Sequence, residues 1–385
     1  MSHLRDLAAR RPDDIALIGV TDRDGVAFDT PVSYRELDTR VRALAAHLQQ
    51  SFDRGARAMI MLDNCDDYVV SFFACLYAGL VAVPVFPPES TRKRHLAKLE
   101  GIAADAGASC VLTHAAIQAS FADAADAFAR VPLLAVDRIG AEGADRWTAH
   151  VPAAADIAFL QYTSGSTSAP KGVMIAHGNL MANMRAIEEG LSIRSDDRFV
   201  TWLPLNHDMG LIGGLLQPLY RGAPVALMSP RYFLERPVRW LEAISRLRAT
   251  VSGGPDFAYR LCLERVSDAQ LSQLDLSRWS LAFSGAEPVR ADTLREFERR
   301  FAPAGFSTRT FYPCYGLAES TLFVTGGRRG NGMVAREFAG AALARGLVQA
   351  ETGGTVLVGC GRSVTGHAVR IVCLLYTSDA ADEGL

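Results

Sequence analysis

The segment from residue 160 to residue 180, LQYTSGSTSAPKGVMIAHGNL, constrains the fold more than any other part of the sequence. Its middle, from Thr163 to Gly172, holds five hydroxyl side chains, two glycines and one lysine. Glycines let backbone N–H groups turn inward, hydroxyl groups donate further hydrogen bonds, and Lys171 offers a positive charge, a combination suited to phosphate groups. The apolar runs IAFLQY and VMIA on either side are typical of strands. The sequence therefore predicts a phosphate-binding loop between two strands.

This loop differs from the common P-loop, which reads G-x-x-x-x-G-K-[ST] and leads into a helix. Here Pro170 precedes the lysine, Gly172 follows it, and a predicted strand comes next, so no helix dipole is expected at the phosphates. A solvated turn is the alternative, because Ser, Thr and Gly are common in turns. The density of hydroxyl groups, with a lysine between proline and glycine, favours phosphate binding.

Helical and strand patterns alternate along the rest of the chain, which predicts an α/β fold. Ser33 and Glu36 form a capping-box pattern at the start of a helix whose apolar stripe is Leu37, Val41, Leu44 and Leu48. A second amphipathic helix is predicted over 292–301, with Leu294, Phe297 and Phe301 on one face.

Strands are predicted over 58–62 and 80–86, the second ending at a Pro-Pro break. The apolar run 68–84 is short for a membrane span and contains Gly79, so it predicts a buried helix that leads into a core strand.

Composition excludes several other classes of protein. Hydrophobic residues make up 49% and charged residues 21% of the 385 residues, and the net charge of −2 gives no indication of nucleic-acid or anionic-membrane binding. The seven cysteines are scattered without C-x-x-C spacing, which favours a reducing compartment over a disulfide framework or a zinc site. The first residues are charged and lack the apolar core of a signal peptide. These features agree with a cytoplasmic protein without a membrane span, although they do not by themselves identify an enzyme.

Four further segments narrow the function. In chain order they are WLPLNHDMGLIGG (202–214), SGGPDFAYRLC (252–262), SGAEPV (284–289) and YGLAESTLF (315–323). Together with TSGSTSAPKG they resemble the adenylate-forming (AMP-binding) superfamily, which includes acyl-CoA synthetases, peptide-synthetase adenylation domains, luciferases and fatty acyl-AMP ligases. The resemblance is greatest to the fatty acyl-AMP ligases and extends from about Tyr34 to Val372.

The resemblance implies a domain organisation. Residues 1–372 correspond to an incomplete multi-subdomain N-terminal domain of the adenylate-forming fold, with the nucleotide held where the subdomains meet. Candidate joints lie at 132–152 and 326–354, and the second is a possible ligase-type insertion. The tail 373–385, CLLYTSDAADEGL, does not resemble the family, and the small C-terminal domain is absent from the sequence. We expect an incomplete, poorly active form of a longer enzyme.

The resemblance also implies ATP and Mg²⁺ as cofactors. A carboxylate must attack the α-phosphorus while pyrophosphate leaves, so positioning and charge neutralisation dominate catalysis. The implied catalytic residues are Lys171, His207 and Glu319, and Glu319 is also the implied Mg²⁺ ligand. The implied phosphate-binding residues are Thr163, Ser164, Gly165, Ser166, Thr167, Lys171 and Ser320; most relatives have threonine at the last of these positions.

Adenine is expected to lie against the ring of Tyr315, where stacking and backbone groups recognise it. The other implied adenine-binding residues are Gly285, Ala286, Glu287, Pro288 and Gly316. His207 is followed by Asp208, and such a pair is by itself as consistent with an ordinary hydrogen-bonded couple as with catalysis. The position of the pair within WLPLNHDMGLIGG favours an active-site role.

The acid is expected to be long and apolar, because apolar side chains and glycines could line a tunnel in which each buried methylene contributes about 0.8 kcal/mol. The predicted acyl pocket consists of Met209, Ile212, Gly213, Gly214, Gly254 and Phe257, although each of them is equally consistent with a core position. An amino-acid-activating relative would need a carboxylate in this pocket. Asp256, where relatives usually have asparagine, keeps that alternative open.

The long link from Glu319 to Gly361 exceeds what acyl-CoA synthetases show, and fatty acyl-AMP ligases carry an insertion there that hinders CoA use. The implied product is an acyl-adenylate passed to an acyl carrier protein, or to the carrier domain of a polyketide or peptide synthase. Two alternatives remain: an acyl-CoA synthetase, and a nucleotide-binding fragment without catalysis.

Overall fold

The computed structural model describes residues 2–23, 25–88, 93–122, 128, 131–163 and 170–370. Within these residues the chain forms sheets of nine, six and two strands, covered by helices. The α/β fold predicted from the sequence is confirmed.

The strands of the described chain are, in order, β1 Ile15–Arg23, β2 Val26–Ser33, β3 Arg57–Met61, β4 Val81–Val85, β5 Ala108–Thr113, β6 Leu133–Ala135, β7 Ile157–Thr163, β8 Lys171–Ala176, β9 Phe199–Thr201, β10 Val225–Leu227, β11 Val251–Gly254, β12 Leu281–Ser284, β13 Phe311–Gly316, β14 Phe323–Gly326, β15 Val334–Phe338, β16 Thr355–Gly359 and β17 Arg362–Ser363.

The α-helices are α1 Ser2–Arg10, α2 Tyr34–Ser51, α3 Asp66–Ala78, α4 Lys93–Ala106, α5 Ala115–Ala122, α6 His177–Leu191, α7 Gln217–Arg221, α8 Pro230–Glu235, α9 Val238–Leu247, α10 Asp256–Arg265, α11 Asp268–Leu271, α12 Ala291–Phe301 and α13 Gly340–Leu343. A π-helix, Met209–Leu216, leads directly into α7, and a single 3₁₀ turn, Ala318–Ser320, separates β13 from β14.

The nine-stranded sheet has the order β17-β14-β13-β12-β11-β9-β10-β1-β2, and the six-stranded sheet has the order β6-β5-β3-β4-β7-β8. From β13 to β1 the neighbouring strands are parallel. Because parallel strands end at the same edge of a sheet, the segments that follow β9, β11 and β12 lie side by side with the end of β13. All of the motif residues beyond position 200 lie in or near these segments.

The predicted elements are present with small shifts at their ends. Ser33 begins α2 by accepting a hydrogen bond from the Glu36 N–H at 3.2 Å, which confirms the serine half of the predicted capping box. The Glu36 carboxylate lies 3.9 Å from Arg40. The apolar run from residue 68 onward forms α3, which ends at Gly79 in a left-handed conformation and leads into β4, as predicted.

The segment 326–354, predicted as a joint and possible insertion, contains β15, which pairs with β16 in the separate two-stranded sheet. Arg329 anchors its start: both of its terminal nitrogens lie 2.7 Å from the carboxylate of Asp197, deep in the core. The domain boundaries stay a prediction. No helix in the described part of the chain has both the length and the apolar character needed to cross a membrane.

Candidate active site

A cavity of about 940 Å³ is lined by residues from both large sheets. One wall comes from the carboxyl ends of β4 and β7 of the six-stranded sheet. The opposite wall comes from the segments after β9 and β12 and from the end of β13. Of the predicted site residues, the structure places nine on the cavity wall: Thr163, His207, Met209, Gly213, Gly285, Ala286, Tyr315, Gly316 and Glu319.

The phosphate-loop prediction is partly observable. Strands β7 and β8 pair antiparallel, with Thr163 opposite Lys171, so a loop between two strands is confirmed. Gly172 lies against the ring of Tyr162, where an added Cβ would meet the ring at 2.9 Å. Lys171 is exposed at the start of β8 and is not on the cavity wall. Ser164, Gly165, Ser166 and Thr167 lie outside the described residues.

His207 lies on the cavity wall in the segment after β9. Its Nδ1 is 2.7 Å from the Asp208 Oδ1, and this hydrogen bond raises the pKa of His207 despite partial burial. The backbone leading to it is fixed by three side chains, of which Tyr68 and Gln161 are buried and Asn64 is partly buried. Asn64 accepts from the Leu205 N–H at 3.0 Å, Tyr68 donates to the Leu205 carbonyl at 2.6 Å, and Gln161 donates to the Asn206 carbonyl at 2.7 Å.

Glu319 projects from the 3₁₀ turn between β13 and β14. The turn folds back so closely that a Cβ on Gly316 would collide with the Leu322 carbonyl, which explains the glycine. Thr321 has a φ of 70°, an unfavourable value for a β-branched residue. Ser320 is exposed beside Glu319, off the cavity wall. A single exposed carboxylate fits Mg²⁺ that arrives with phosphate groups, because such ions use one or two carboxylates and the phosphate oxygens.

The structure brings together some of the predicted adenine-binding residues, but not all of them. Gly285 and Ala286 lie on the cavity wall next to the end of β13, which carries Tyr315, a residue that is 51% exposed. Ala286 has a φ of 66°, a strained value of the kind that clusters at functional sites. The structure does not bring Glu287 and Pro288 to the cavity wall. Instead, the Glu287 carboxylate accepts from the Phe257 N–H at 2.8 Å and so caps the start of α10.

Asp256 points away from the cavity. Its carboxylate is 5% exposed and accepts hydrogen bonds from the Arg290 N–H and the Thr293 hydroxyl, both at 2.9 Å. It therefore caps the start of α12, as Glu287 caps the start of α10. Asp256 is unavailable to an ammonium group in the acyl pocket, which removes the one feature that favoured an amino-acid substrate.

The cavity wall has an apolar part, called the apolar branch below, which is formed by Ile187, Leu191, Phe199, Met209, Gly213, Val251, Phe283, Leu322 and Phe323. The other predicted pocket residues are not on its wall. Ile212 is fully buried, and Cβ atoms on Gly214 and Gly254 would each lie 2.7 Å from core side chains, Thr201 and Trp202 respectively. Phe257 is partly exposed beside Trp202.

Sequence reasoning missed two buried amides at the site. Gln161 is 2% exposed and lines the cavity, and Asn183, on α6, bonds the turn that carries Glu319. A polar residue in an otherwise apolar strand, IAFLQY, was the available signal for Gln161. Asn183 had no comparable signal, because one asparagine within a helix is unremarkable.

The family profile described as AMP-binding enzyme matches residues 4–372 of the chain. The chain belongs to this family. The resemblance stated from the motifs is thereby confirmed, and it accounts for the order in which the motifs follow one another.

Individual relatives are fatty-acid ligases. The chain is 41% identical to the medium-chain-fatty-acid–[acyl-carrier-protein] ligase JamA of Moorena producens, over 89% of this chain and 60% of the relative. It is 37% identical to the long-chain-fatty-acid–AMP ligase FadD32 of Mycolicibacterium smegmatis, over 84% of this chain and 53% of the relative.

Solved structures similar to this chain also include a fatty-acid ligase. The fatty acyl-adenylate ligase of L. pneumophila, in complex with acyl adenylate and pyrophosphate, superimposes with a TM-score of 0.89 at 36% identity. That match covers 94% of this chain and 63% of the solved one. The fold of the adenylate-forming N-terminal domain is thus confirmed. The chain therefore spans less than two thirds of the length of each of these relatives.

Proposed function

We propose that the protein carrying this chain activates a medium- or long-chain fatty acid with ATP, giving an acyl-adenylate and pyrophosphate. The observation that carries the proposal is the lining of the 940 Å³ cavity. Its polar wall holds His207, Tyr315 and Glu319, and its branch is lined only by apolar residues and glycine among the described residues. One cavity can therefore hold a nucleotide and an alkyl chain, with the reacting groups between them.

The residues of the cavity wall would have the following roles in the reaction. A carboxylate oxygen of the acid forms a bond to the α-phosphorus, and the bond from that phosphorus to the α,β-bridging oxygen breaks as pyrophosphate leaves. His207, with its raised pKa, would donate a hydrogen bond to the reacting carboxylate or the α-phosphate, and Asp208 would orient its ring. Tyr315 would stack on adenine. Mg²⁺, held beside Glu319, would neutralise phosphate charge.

The acyl acceptor belongs to the same proposal. JamA is a ligase for an acyl carrier protein, and on that likeness we propose an acyl carrier protein, or the carrier domain of a polyketide or peptide synthase, as the partner. The solved adenylation domain of a keto acid-selecting peptide-synthetase module shares only the fold, at 22% identity. The six described cysteines are free, which supports a cytoplasmic location.

The test is an adenylation assay with ATP, Mg²⁺ and laurate, in which hydroxylamine traps acyl-adenylate as hydroxamate. We expect hydroxamate with laurate and none above background with leucine or phenylalanine. Transfer is then compared between a phosphopantetheinylated acyl carrier protein and CoA. Faster transfer to CoA would favour the acyl-CoA synthetase alternative, and ATP binding without hydroxamate would favour a non-catalytic nucleotide-binding protein.

Chain-length selection is expected to depend on Gly213. A Cβ there would lie 3.3 Å from the Leu322 side chain, inside the apolar branch. We expect Gly213→Phe to lower laurate activation at least tenfold while butyrate activation changes less than threefold, because only the long chain needs the branch. Gly213→Ala is the matched control and should keep laurate activity, since the flexible end of Leu322 can move. Equal losses for both acids would indicate general damage.

A further inference from the structure

Asn183 connects helix α6 to the turn that carries Glu319. Its side chain is 4% exposed and makes three hydrogen bonds. The amide nitrogen donates to the carbonyl oxygens of Ser320 and Phe323, at 3.2 and 3.1 Å, and the amide oxygen accepts from the Phe323 N–H at 3.0 Å. The N–H of Phe323 is a donor, so the orientation of the amide is fixed by its partners.

The turn needs such support. Thr321 has φ 70° and ψ −60°, a strained conformation that persists only where its surroundings enforce it. Within the turn, the Thr321 N–H donates to Ala318 at 2.8 Å, and the Leu317 N–H donates to Leu322 at 2.9 Å. Asn183 adds bonds from outside, on both sides of the strained residue.

Helix α6 also connects this turn to the rest of the cavity. It begins directly after β8, the strand that starts at Lys171. Asn183, Ile187 and Leu191 are spaced four residues apart and so lie along one face of the helix. Ile187 and Leu191 line the apolar branch. Helix α6 therefore follows β8 directly, contacts the turn that carries Glu319, and lines the apolar branch.

We propose that Asn183 is a positioning residue that holds the turn of Glu319 where the carboxylate meets Mg²⁺·ATP. This role rests on the proposed adenylation function. The chemistry requires an amide: it must accept from one N–H and donate to two carbonyl groups at once. A carboxylate would keep the acceptor but place negative charge against two carbonyl oxygens, and a methyl group would offer neither.

The test compares Asn183→Asp with Asn179→Asp, the same substitution one turn earlier on α6. The Asn179 side chain accepts from the Ala176 N–H at 3.1 Å, which a carboxylate also does, so this variant controls for the added charge. The first measurement is hydrogen exchange, by mass spectrometry, of peptides covering 317–325. We expect at least tenfold faster exchange in Asn183→Asp and no change in Asn179→Asp.

The second measurement is calorimetric binding of ATP over a series of Mg²⁺ concentrations. Asn183→Asp should raise the Mg²⁺ concentration for half-maximal ATP affinity about five- to tenfold and leave metal-free ATP binding unchanged. Asn179→Asp should match the wild-type chain. A purely structural asparagine would lower thermal stability without moving the Mg²⁺ dependence. If the buried charge prevents folding, Asn183→Ala replaces it in both measurements.

The outcomes separate the inference from the proposed function. Unchanged exchange over 317–325 overturns the claim that Asn183 holds the turn. Faster exchange with an unchanged Mg²⁺ dependence overturns its positioning role. A wild-type chain that does not bind Mg²⁺·ATP contradicts the proposed function instead, and the exchange measurement still decides whether Asn183 fixes the turn.

Discussion

Replacing Arg329 with methionine is expected to lower the free energy of unfolding by about 3–5 kcal/mol, because the buried carboxylate of Asp197 would lose its cationic partner. The side chains of Arg329 and Asp197 are 4% and 1% exposed, and their two hydrogen bonds are both 2.7 Å long. Urea denaturation measures the loss. Arg328→Met is the matched control, since Arg328 is exposed, and it should change stability by less than about 0.5 kcal/mol.

The ion pair of Arg329 and Asp197 also makes the free energy of unfolding depend on pH. Burial alone would raise the pKa of Asp197, but hydrogen bonds from Arg329, the Arg194 N–H and Thr250 outweigh burial and lower it. A carboxyl whose folded pKa is depressed contributes stability above its unfolded pKa, about 3.9, and loses it as the pH falls through the folded value. The stability gap between wild type and Arg329→Met should therefore narrow below pH 4. A gap that widens in acid would contradict this account.

Local patterns predicted much of the fold. The Ser33 cap and the stripe from Leu37 to Leu48 gave α2, because capping and 3.6-residue periodicity depend on neighbours in sequence. Gly79 separated α3 from β4 for the same reason. The sequence also predicted which motifs form the site, because parallel strands bring the segments that follow them to one edge of the sheet.

Side-chain direction within the motifs was not predictable. The acyl-pocket prediction treated Gly213 and Gly214 alike, yet the π-helix turns the first toward the cavity and the second toward Thr201. Asp256, at the start of α10, caps α12, and Glu287, just before α12, caps α10. This exchange of caps depends on the packing of α10 against α12, which the sequence does not reveal. Asn183 bonds residues about 140 positions away, so no local pattern reveals it.

The largest effect on catalysis is expected at Glu319. Glu319→Ala should lower the rate of acyl-adenylate formation at least tenfold, which corresponds to about 1.4 kcal/mol of transition-state stabilisation. The reason is that Mg²⁺ would lose the protein ligand that holds it beside the phosphate groups. Lys171→Ala should lower the rate by a similar factor, because it removes the cation proposed to bind the leaving phosphates. The measurement is pyrophosphate release with laurate in the protein carrying this chain.

Two controls sharpen this experiment. Glu264→Ala removes an exposed carboxylate of α10 that is not on the cavity wall, and it should leave the rate unchanged. Raising Mg²⁺ should restore part of the activity of Glu319→Asp but none of the activity of Lys171→Ala, since only the first change weakens metal binding. Full pyrophosphate release in both alanine variants would exclude these residues from the mechanism. Loss in Lys171→Ala alone would mean that the phosphate oxygens hold the metal without Glu319, and Asn183 would then lose its proposed role as well.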